Sequence, residues 1–313
     1  MLKRLFLVIF ILFLSSFSSW SVEKPAIFNV ATYNLRQLNA DDDSHGDGWS
    51  NRCPVIAKII QFYDFDIFGT QEGFKSQLEN LKDSLPFYDY IGVGREDGKE
   101  QGEHSAIFYN TKKFELLDKG DFWLSENPDR PGLGWDAACT RICSWGHFRH
   151  KETGKEFRFF NLHLDHVGVR ARIESVLLVQ QKIREFGIDK PTFLTGDFNV
   201  DQHNEMYSVL TSSDFLDDSF HTAELVFALN GTFNGWQTEG FTDSRIDHIF
   251  VTKDIAVEKY GILTDTYRTK LLENETSDSS TVPHADKPDE INVVKYRARM
   301  PSDHFPVLIK VEL

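Results

Sequence analysis

The sequence has 313 residues, of which 41% are hydrophobic and 13% aromatic, so it has enough apolar material for a large core. Its formal net charge of −14 argues against tight nonspecific binding to long duplex DNA, which requires basic groups to displace counterions. The charge does not exclude a phosphate ester as substrate, because bound divalent cations can invert the local field.

The first 21 residues have the layout of a secretory signal peptide. The cationic start MLKR precedes the apolar stretch LFLVIFILFL and the small, polar stretch SSFSSWS, with cleavage expected after Ser21. The apolar stretch is short for a membrane span, which needs about 20 residues. We therefore expect a periplasmic or secreted protein with no stable membrane insertion after signal cleavage. An uncleaved anchor is the alternative.

The remaining chain, residues 26–313, is expected to form one domain with a two-sheet core covered by helices. Strands outnumber helices and many follow one another directly, which argues against a purely parallel sheet. Strand patterns occupy residues 27–34, 66–72, 104–110, 139–150, 156–164, 191–197, 245–252 and 305–313. Helical periodicity occupies residues 52–63 and 169–187, whereas residues 271–290, rich in Ser, Asp, Glu and Pro, are expected to form a long surface loop.

Three cysteines, Cys53, Cys139 and Cys143, leave at least one thiol unpaired. Cys139 and Cys143 lie in a strand-like segment, where four residues span about 13 Å, too far for a disulfide. No CxxC or HxxxH partner supports a zinc site. We expect all three to be small buried hydrophobic residues.

Polar residues occur where six of the predicted strands end or nearly end. They are Asn34 in ATYN, Glu72 in GTQE, His163 in NLHLDH, Asp197 and Asn199 in TGDFN, Asp247 in RIDHIF, and Asp303 and His304 in SDHFP. Singly, each has an ordinary interpretation as a turn residue, a core histidine or a surface carboxylate. Together they supply oxygens for a hard cation, and His and Asp for proton transfer and anion contact.

Asp197 and Asn199 are two residues apart at the end of a buried strand. Side chains at that spacing on an extended backbone point to the same side, which would turn the intervening Phe198 into the core. The sequence therefore predicts that a carboxylate and a carboxamide face one cavity.

The ordered set YNLR, TQEG, NLHLDH, TGDFN, RIDHIF and SDHFP resembles the endonuclease/exonuclease/phosphatase (DNase I-like) family across residues 27–313. The segments GWDAACTRICSW and NLHLDHVGVRAR further resemble its deadenylase-like bacterial branch. The resemblance implies a four-layer α/β sandwich of two mixed, largely antiparallel sheets flanked by helices. It places the active site at one end of that sandwich.

The resemblance also implies a divalent cation, Mg²⁺ with Mn²⁺ as an alternative. Glu72 resembles the principal metal ligand, with Asn34 beside it and Asp303 assisting. Asp197 resembles the residue that orients or deprotonates the attacking water. Asn199 resembles the group that holds both the phosphate and that water.

Two histidines complete the implied catalytic set. His304 resembles the histidine that contacts phosphate and is held by Asp247. His163 resembles the second histidine, which apurinic endonucleases replace by tyrosine. Glu103 resembles the glutamate that holds this second histidine in the deoxyribonuclease branch, and the pairing would keep the imidazole cationic nearer neutral pH. The alternative is that Glu103 is a surface charge in a polar loop.

These features predict a secreted, Mg²⁺-dependent phosphoesterase. The leading hypothesis is a phosphodiesterase acting on a nucleic-acid fragment, a nucleotide or a lipid-type ester. A phosphomonoesterase of sugar or inositol phosphates is the alternative. A catalytically silent secreted binding module is the hypothesis of another class, and the complete acid/base set argues against it. The sequence indicates no particular protein partner.

Other residues bear on the identity of the substrate. Phe233 and Trp236 in GTFNGW could stack on bases, or simply pack in a loop. Arg141 and Arg170 could contact a second phosphate, or pair with the many carboxylates. Residues 122–135 could form an exposed apolar loop of the kind that a lipid phosphodiesterase requires.

Overall fold

The computed structural model describes residues 24–271 and 296–313. The predicted signal peptide and nearly all of the predicted loop at 271–290 lie outside the described residues. Within those described, no helix is both long enough and apolar enough to cross a membrane. The helices are α1 (Ala40–Ser44), α2 (Trp49–Phe62), α3 (Lys75–Ser84), α4 (Val169–Phe186), α5 (Glu205–Thr211) and α6 (Ser219–Thr222).

Two large sheets hold most of the strands in the described part of the chain. The seven-stranded sheet runs, in spatial order, β10 (Leu225–Phe227), β12 (Ala256–Ile262), β15 (Val307–Glu312), β1 (Ile27–Asn34), β2 (Ile67–Gln71), β4 (Ile107–Asn110) and β3 (Tyr88–Ile91). The six-stranded sheet runs β5 (Phe114–Trp123), β6 (Ile142–His150), β7 (Glu156–His163), β8 (Thr192–Asp197), β11 (Asp247–Thr252) and β9 (Leu216–Asp218). A small ribbon pairs β13 (Tyr267–Thr269) with β14 (Arg297–Arg299).

The sheets stack face to face and each carries helices on its outer side. One apolar cluster lies between the sheets and includes Phe28 and Val30 of β1 with Phe157 and Phe193 of β7 and β8. A second covers the outer face of the six-stranded sheet under α4 and α5, and a third lies under α2 and α3. The predicted four-layer α/β sandwich is therefore confirmed, with parallel pairing confined to β1–β2, β7–β8 and β10–β12.

Hydrophobic period explains why the predicted elements form. All eight predicted strands are present within a few residues of their predicted bounds, and α2 and α4 match the two predicted helices. Strands β5 and β12 escaped prediction because polar residues interrupt their apolar alternation. For β5, most of the central positions are exposed or half-buried. Phe198 is fully buried, as the spacing of Asp197 and Asn199 predicted.

The register of the six-stranded sheet aligns three of the candidate residues. His163, the last residue of β7, lies opposite Asp197, the last residue of β8. Asp197 in turn lies opposite Asp247, the first residue of the antiparallel β11. Three consecutive sequence motifs therefore meet in one row at one end of the sheet.

The seven-stranded sheet also has candidate residues where its strands end, and they lie at the same end of the sandwich. Asn34 is the last residue of β1 and lies opposite Gln71, the last residue of β2. Glu72 is therefore the first residue after β2. Strand β15 is antiparallel to β1, and His304 lies just before it. Both sheets therefore end in polar side chains at this edge of the sandwich.

A buried polar layer joins the two sheets just below that edge. The amide nitrogen of Asn161 on β7 donates to the carbonyl oxygens of Thr70 and Ala106, at 2.9 and 3.0 Å. Its amide oxygen accepts from Gln71 Nε2 at 2.7 Å and from Thr195 Oγ1 at 3.0 Å. Since Asn161 is fully buried, this network replaces apolar packing between the sheets with satisfied hydrogen bonds.

We predict that Asn161→Leu lowers the free energy of unfolding by about 3 kcal/mol, because it leaves several buried donors and acceptors without partners. Urea unfolding followed by circular dichroism measures this change. Asn80→Ala, at an exposed position on α3, is the matched control and should leave stability almost unchanged. Equal stability of the Asn161 and Asn80 variants would contradict the structural role of this layer.

Candidate active site

A cleft of about 580 Å³ opens at the edge where both sheets end. Its lining includes seven of the residues singled out in the sequence, namely Glu72, Glu103, His163, Asp197, Asn199, Asp303 and His304. The other two, Asn34 and Asp247, are fully buried directly behind this surface and contact it through hydrogen bonds. The structure therefore brings all nine candidate residues together.

Asp197 lies at the centre of the cluster. Its Oδ2 accepts from Asn34 Nδ2 at 3.0 Å and lies 3.5 Å from His163 Nε2 and 3.7 Å from His304 Nε2. Burial, together with the neighbouring charge of Asp247, raises the pKa of Asp197 to about 7. A carboxylate with that pKa is suited to accept a proton near neutral pH.

His304 is held by Asp247, as the resemblance implied. His304 Nδ1 lies 2.9 Å from Asp247 Oδ2, and both side chains are buried. Burial alone would lower the pKa of His304, but the carboxylates of Asp247 and Asp197 raise that pKa well above its ordinary value. The cleft therefore contains a fixed imidazolium beside Asp197.

His163 has the opposite electrostatic environment. Burial, together with the charges of Arg141 and Arg95, lowers the pKa of His163 well below its ordinary value. Asn199 Nδ2 donates to the carbonyl oxygen of Leu164 at 3.0 Å and lies 3.2 Å from His163 Nε2. Because an amide nitrogen only donates, Nε2 accepts, and the neutral ring carries its proton on Nδ1.

The expected bond between Glu103 and His163 is replaced by a different pairing. Glu103 Oε2 accepts from Arg95 Nη1 at 2.5 Å, whereas it lies 3.9 Å from His163 Nδ1, beyond hydrogen-bond distance. The reason is that a guanidinium competes for the same buried carboxylate. Glu103 is buried beside His163 rather than at the surface, yet burial and the nearby guanidiniums lower the pKa of the imidazole, against the expectation of a cationic ring.

Glu72 and Asp303 provide the carboxylates best suited to a hard cation. Glu72 is half-buried and accepts from Asn34 Nδ2 at 3.1 Å and from the backbone N–H of Gln37 at 3.0 Å. Burial raises the pKa of Asp303, and the charge of Glu72 raises it further despite Arg36 Nη1 at 3.4 Å. A carboxylate whose charge is disfavoured in this way fits a divalent cation, which prefers a few carboxylate oxygens with water and phosphate.

Asn34 was expected to lie beside Glu72 at the metal, and its amide contacts protein groups on both sides. Its amide oxygen accepts from the backbone N–H of Arg36 at 2.9 Å, and its amide nitrogen points to Glu72 and Asp197. In this arrangement Asn34 bridges the two carboxylates. It thereby fixes the spacing between the candidate metal ligand and the candidate base.

Two groups among the described residues have potential ligand atoms within 4.8 Å of one another, namely Asp197 with Asp247 and His304, and Cys139 with Asp165 and His166. In the first group, His304 Nδ1 is already hydrogen-bonded to Asp247 at 2.9 Å. In the second, Arg141 lies 3.5 Å from Asp165 and 3.1 Å from His166. Glu72 therefore remains the candidate metal ligand that the resemblance implied.

Backbone strain is concentrated at two of these positions. Glu72 and Asn199 have φ values of +65° and +50°, in the left-handed region that non-glycine residues rarely occupy. Such conformations persist only where the surroundings over-determine them. At Asn199, the backbone N–H donates to Asp197 Oδ1 at 2.9 Å and so compensates part of the cost.

The sequence did not single out Arg36, Arg95 and His166, which line the cleft, and it misjudged Cys139, which lines it as well. Cys139 was expected to be buried, yet its thiol is partly exposed there, whereas Cys53 and Cys143 are buried and all three are free. Arginines in polar loops look like ordinary surface residues in a sequence, so nothing there indicates that they meet in one cleft. Only their neighbouring motifs, YNLR and NLHLDH, could have indicated Arg36 and His166.

The two arginines proposed for phosphate contact have different positions. Arg141 lines the cleft and is almost completely buried, with Nη2 lying 3.1 Å from His166 Nδ1 and Nε 3.5 Å from Asp165 Oδ2. Arg170 is exposed and pairs with Glu174 on α4. Arg141 therefore remains a candidate for anion contact and Arg170 does not.

The two aromatic residues considered for stacking on a base also have different positions. Phe233 lines the cleft with 44% of its surface exposed, and its ring packs edge-on against His304 at a centroid distance of 5.1 Å. Trp236 instead packs against Arg52, whose Cζ lies 5.5 Å from the centroid of the Trp236 ring. In the expected apolar loop at residues 122–135, Phe122 and Trp123 are buried at the end of β5.

Comparisons with known proteins cover the whole set of candidate residues. The profile of the endonuclease/exonuclease/phosphatase family matches residues 31–304. A solved structure of a family protein from Bacteroides thetaiotaomicron is 53% identical, with a TM-score of 0.84, and the match covers 92% of this chain and 98% of that chain. A mannosyl-6-phosphatase from the same organism is 53% identical, with a TM-score of 0.82, over 91% of this chain and 99% of that chain.

A more distant relative is an uncharacterized protein of Acanthamoeba polyphaga mimivirus. It is 31% identical over 216 residues, which are 64% of this chain and 79% of that protein.

We predict that Asp247→Asn lowers the pKa of His304, because it removes the carboxylate that raises this pKa most. A raised imidazole pKa contributes stability that is fully present below the unfolded value of about 6.5 and is lost as pH rises through the folded value. In the variant this contribution should therefore end at a lower pH. Nuclear magnetic resonance titration of the imidazole nitrogens in chelator-treated protein measures the shift.

The matched control is Asp243→Asn, which removes an exposed carboxylate 3.1 Å from His203 and should leave His304 unchanged. If His304 titrates at the same pH with and without Asp247, the assigned cause of its raised pKa is wrong.

Proposed function

The chain belongs to the endonuclease/exonuclease/phosphatase family, and on that premise we propose that this phosphoric ester hydrolase removes a phosphate monoester from a sugar. The observation that carries the proposal is the cleft itself, in which Arg36, Arg95 and Arg141 surround the catalytic cluster. With His304 as a further cation, the lining offers four positively charged groups beside the four carboxylates of Glu72, Glu103, Asp197 and Asp303.

The N–H donors of the three guanidiniums, rather than a net positive charge, favour a monoester. A phosphate monoester carries a charge of about −1.5 to −2 near neutral pH, whereas a diester carries a single charge. Several guanidiniums in a partly buried cleft gain more from the more highly charged group, because Coulomb interactions strengthen where water is excluded. A cleft of about 580 Å³ also suits a small ligand such as a sugar phosphate.

The mannosyl-6-phosphatase from Bacteroides thetaiotaomicron, 53% identical over nearly the whole chain, supports the same assignment. We therefore favour a hexose 6-phosphate of the mannose type, free or at the end of a glycan. This proposal differs from the phosphodiesterase that led the sequence-based hypotheses. The diester hypothesis rested mainly on the resemblance of the motifs. Of the three arginines that line the cleft, the sequence had indicated only Arg141.

In the proposed mechanism, Asp197 takes the proton of the attacking water, for which its pKa of about 7 is suited. The amide nitrogen of Asn199 donates to His163 Nε2 and Leu164 O, which leaves its amide oxygen to accept a hydrogen bond from that water. The His304 imidazolium stabilises charge that develops on the phosphate oxygens. A divalent cation held by Glu72 and Asp303 would neutralise phosphate charge in the transition state.

We also propose that the protein acts outside the cytoplasm with Mg²⁺, or alternatively Mn²⁺, as its metal. The layout of residues 1–21 supports export. The carboxylate donors of Glu72 and Asp303 support a hard cation rather than a thiolate-binding metal.

The discriminating experiment is a phosphoester panel assayed with Mg²⁺, with Mn²⁺ and with chelator. We expect the largest kcat/KM for mannose 6-phosphate and related sugar phosphates, with smaller values for bis-nitrophenyl phosphate, single-stranded RNA, nucleotides and sphingomyelin. Inositol phosphates test whether a ring polyol suffices. Chelator should abolish the activity, because the proposed cation then no longer neutralises the phosphate.

Two results of the panel would change the assignment. Preference for bis-nitrophenyl phosphate or RNA by about tenfold or more in kcat/KM would favour the phosphodiesterase. No hydrolysis of any ester, with or without metal, would contradict catalysis and support the binding-module alternative.

The variant Glu72→Gln tests the metal site. It should abolish Mg²⁺-stimulated hydrolysis and weaken Mn²⁺ binding, followed by electron paramagnetic resonance, because a neutral amide holds a hard cation poorly. Glu79→Gln changes a half-buried carboxylate of α3 that pairs with Lys75 outside the cleft, and it should change neither quantity. Full activity and metal affinity in the Glu72 variant would remove Glu72 from the site.

A further inference from the structure

The short segment that carries Asn199 is held from both sides by one neighbouring stretch of chain. Before Asn199, the backbone N–H of Phe198 donates to the carbonyl oxygen of Ile246 at 2.8 Å. After it, the carbonyl oxygen of Val200 lies 2.9 Å from His248 Nε2. Because a carbonyl oxygen only accepts, His248 Nε2 carries the proton of this bond.

On its far side, His248 packs against a buried polar cluster. Its Nδ1 lies 3.5 Å from Asp218 Oδ2 without a hydrogen bond, and that oxygen accepts from Tyr207 Oη at 2.6 Å and from Arg245 Nη1 at 3.2 Å. The ring packs edge-on against Phe198 at a centroid distance of 5.5 Å. Since His248 is fully buried, it can act on the cleft only through the backbone that it binds.

Asn199 needs such support because its side-chain contacts depend on the position of this short segment. Its φ of +50° lies in the left-handed region, which asparagine occupies at lower cost than most residues. Its amide nitrogen lies 3.0 Å from Leu164 O and 3.2 Å from His163 Nε2, distances that a shift of the segment by about 1 Å would lose.

We infer that His248 is a positioning residue, whose hydrogen bond to the Val200 carbonyl fixes the Asn199 amide in the cleft. Successive residues of β11 point to opposite faces, so Asp247 holds His304 while His248 holds the segment that carries Asn199. The kinetic consequence rests on the proposed function, whereas the structural consequence does not.

The test compares three variants. His248→Leu removes the donor, and His248→Gln retains one within reach of the carbonyl. Tyr207→Phe removes a different hydrogen bond to Asp218 from the same buried cluster and serves as the matched control. Should His248→Leu fail to fold, His248→Asn replaces it, since its shorter amide does not reach Val200.

The structural readout is hydrogen exchange of the Asn199 backbone amide, which donates to Asp197 Oδ1 at 2.9 Å. Exchange should accelerate by about tenfold or more in His248→Leu and remain near the wild-type rate in His248→Gln and Tyr207→Phe. Unchanged exchange in His248→Leu would overturn the inference. This readout decides the inference even if the wild type hydrolyses no phosphoester, which would overturn only the proposed function.

The kinetic readout is turnover of nitrophenyl phosphate with Mg²⁺. In His248→Leu we expect kcat to fall by about tenfold or more while KM changes by less than about twofold, with most of kcat restored in His248→Gln. In an Asn199→Ala background, His248→Leu should cause little further loss of kcat, because both changes remove the same contribution of the Asn199 amide. Losses that multiply fully, or a Gln variant as impaired as the Leu variant, would overturn the inference.

Discussion

The candidate site depends on the burial of one carboxylate, Asp197, at the end where two sheets meet. A buried charge is costly unless donors and countercharges surround it. Asn34 and the backbone of Asn199 supply the donors, and His304 supplies the countercharge. Each comes from a different part of the chain. The sandwich must therefore be complete before Asp197 is stabilised, and fold and chemistry are linked at this residue.

The two histidines show how neighbours, rather than burial, divide the chemical roles. Both rings are almost completely buried, so desolvation alone would make each neutral. Carboxylates surround His304 and raise its pKa, whereas guanidiniums near His163 lower the pKa of that ring further. One ring is then an electrostatic stabiliser, and the other is a neutral acceptor that orients the Asn199 amide.

Sequence patterns predicted the sandwich and the residues that end its strands, because each motif combines an apolar strand with a polar terminus. Asp197, Asn199 and His163 could be found in this way. The pairing of Glu103 was not predictable, since Arg95 competes with His163 for that carboxylate only when the loop that carries Arg95 and Glu103 folds against the end of β7. The role of Cys139 as a cleft residue likewise depends on which face of an irregular segment turns outward.

The acidic composition of the chain and the three arginines of the cleft are compatible because each of these arginines is paired with a carboxylate. Arg36 lies beside Asp42, Arg95 beside Glu103, and Arg141 beside Asp165. These pairs limit the cost of bringing guanidiniums together and fix their orientation. A guanidinium has five N–H donors, so one carboxylate partner leaves others available for an anion. The net charge of the chain therefore bears on long polyanions approaching the surface, whereas the paired arginines decide which small anion the cleft can hold.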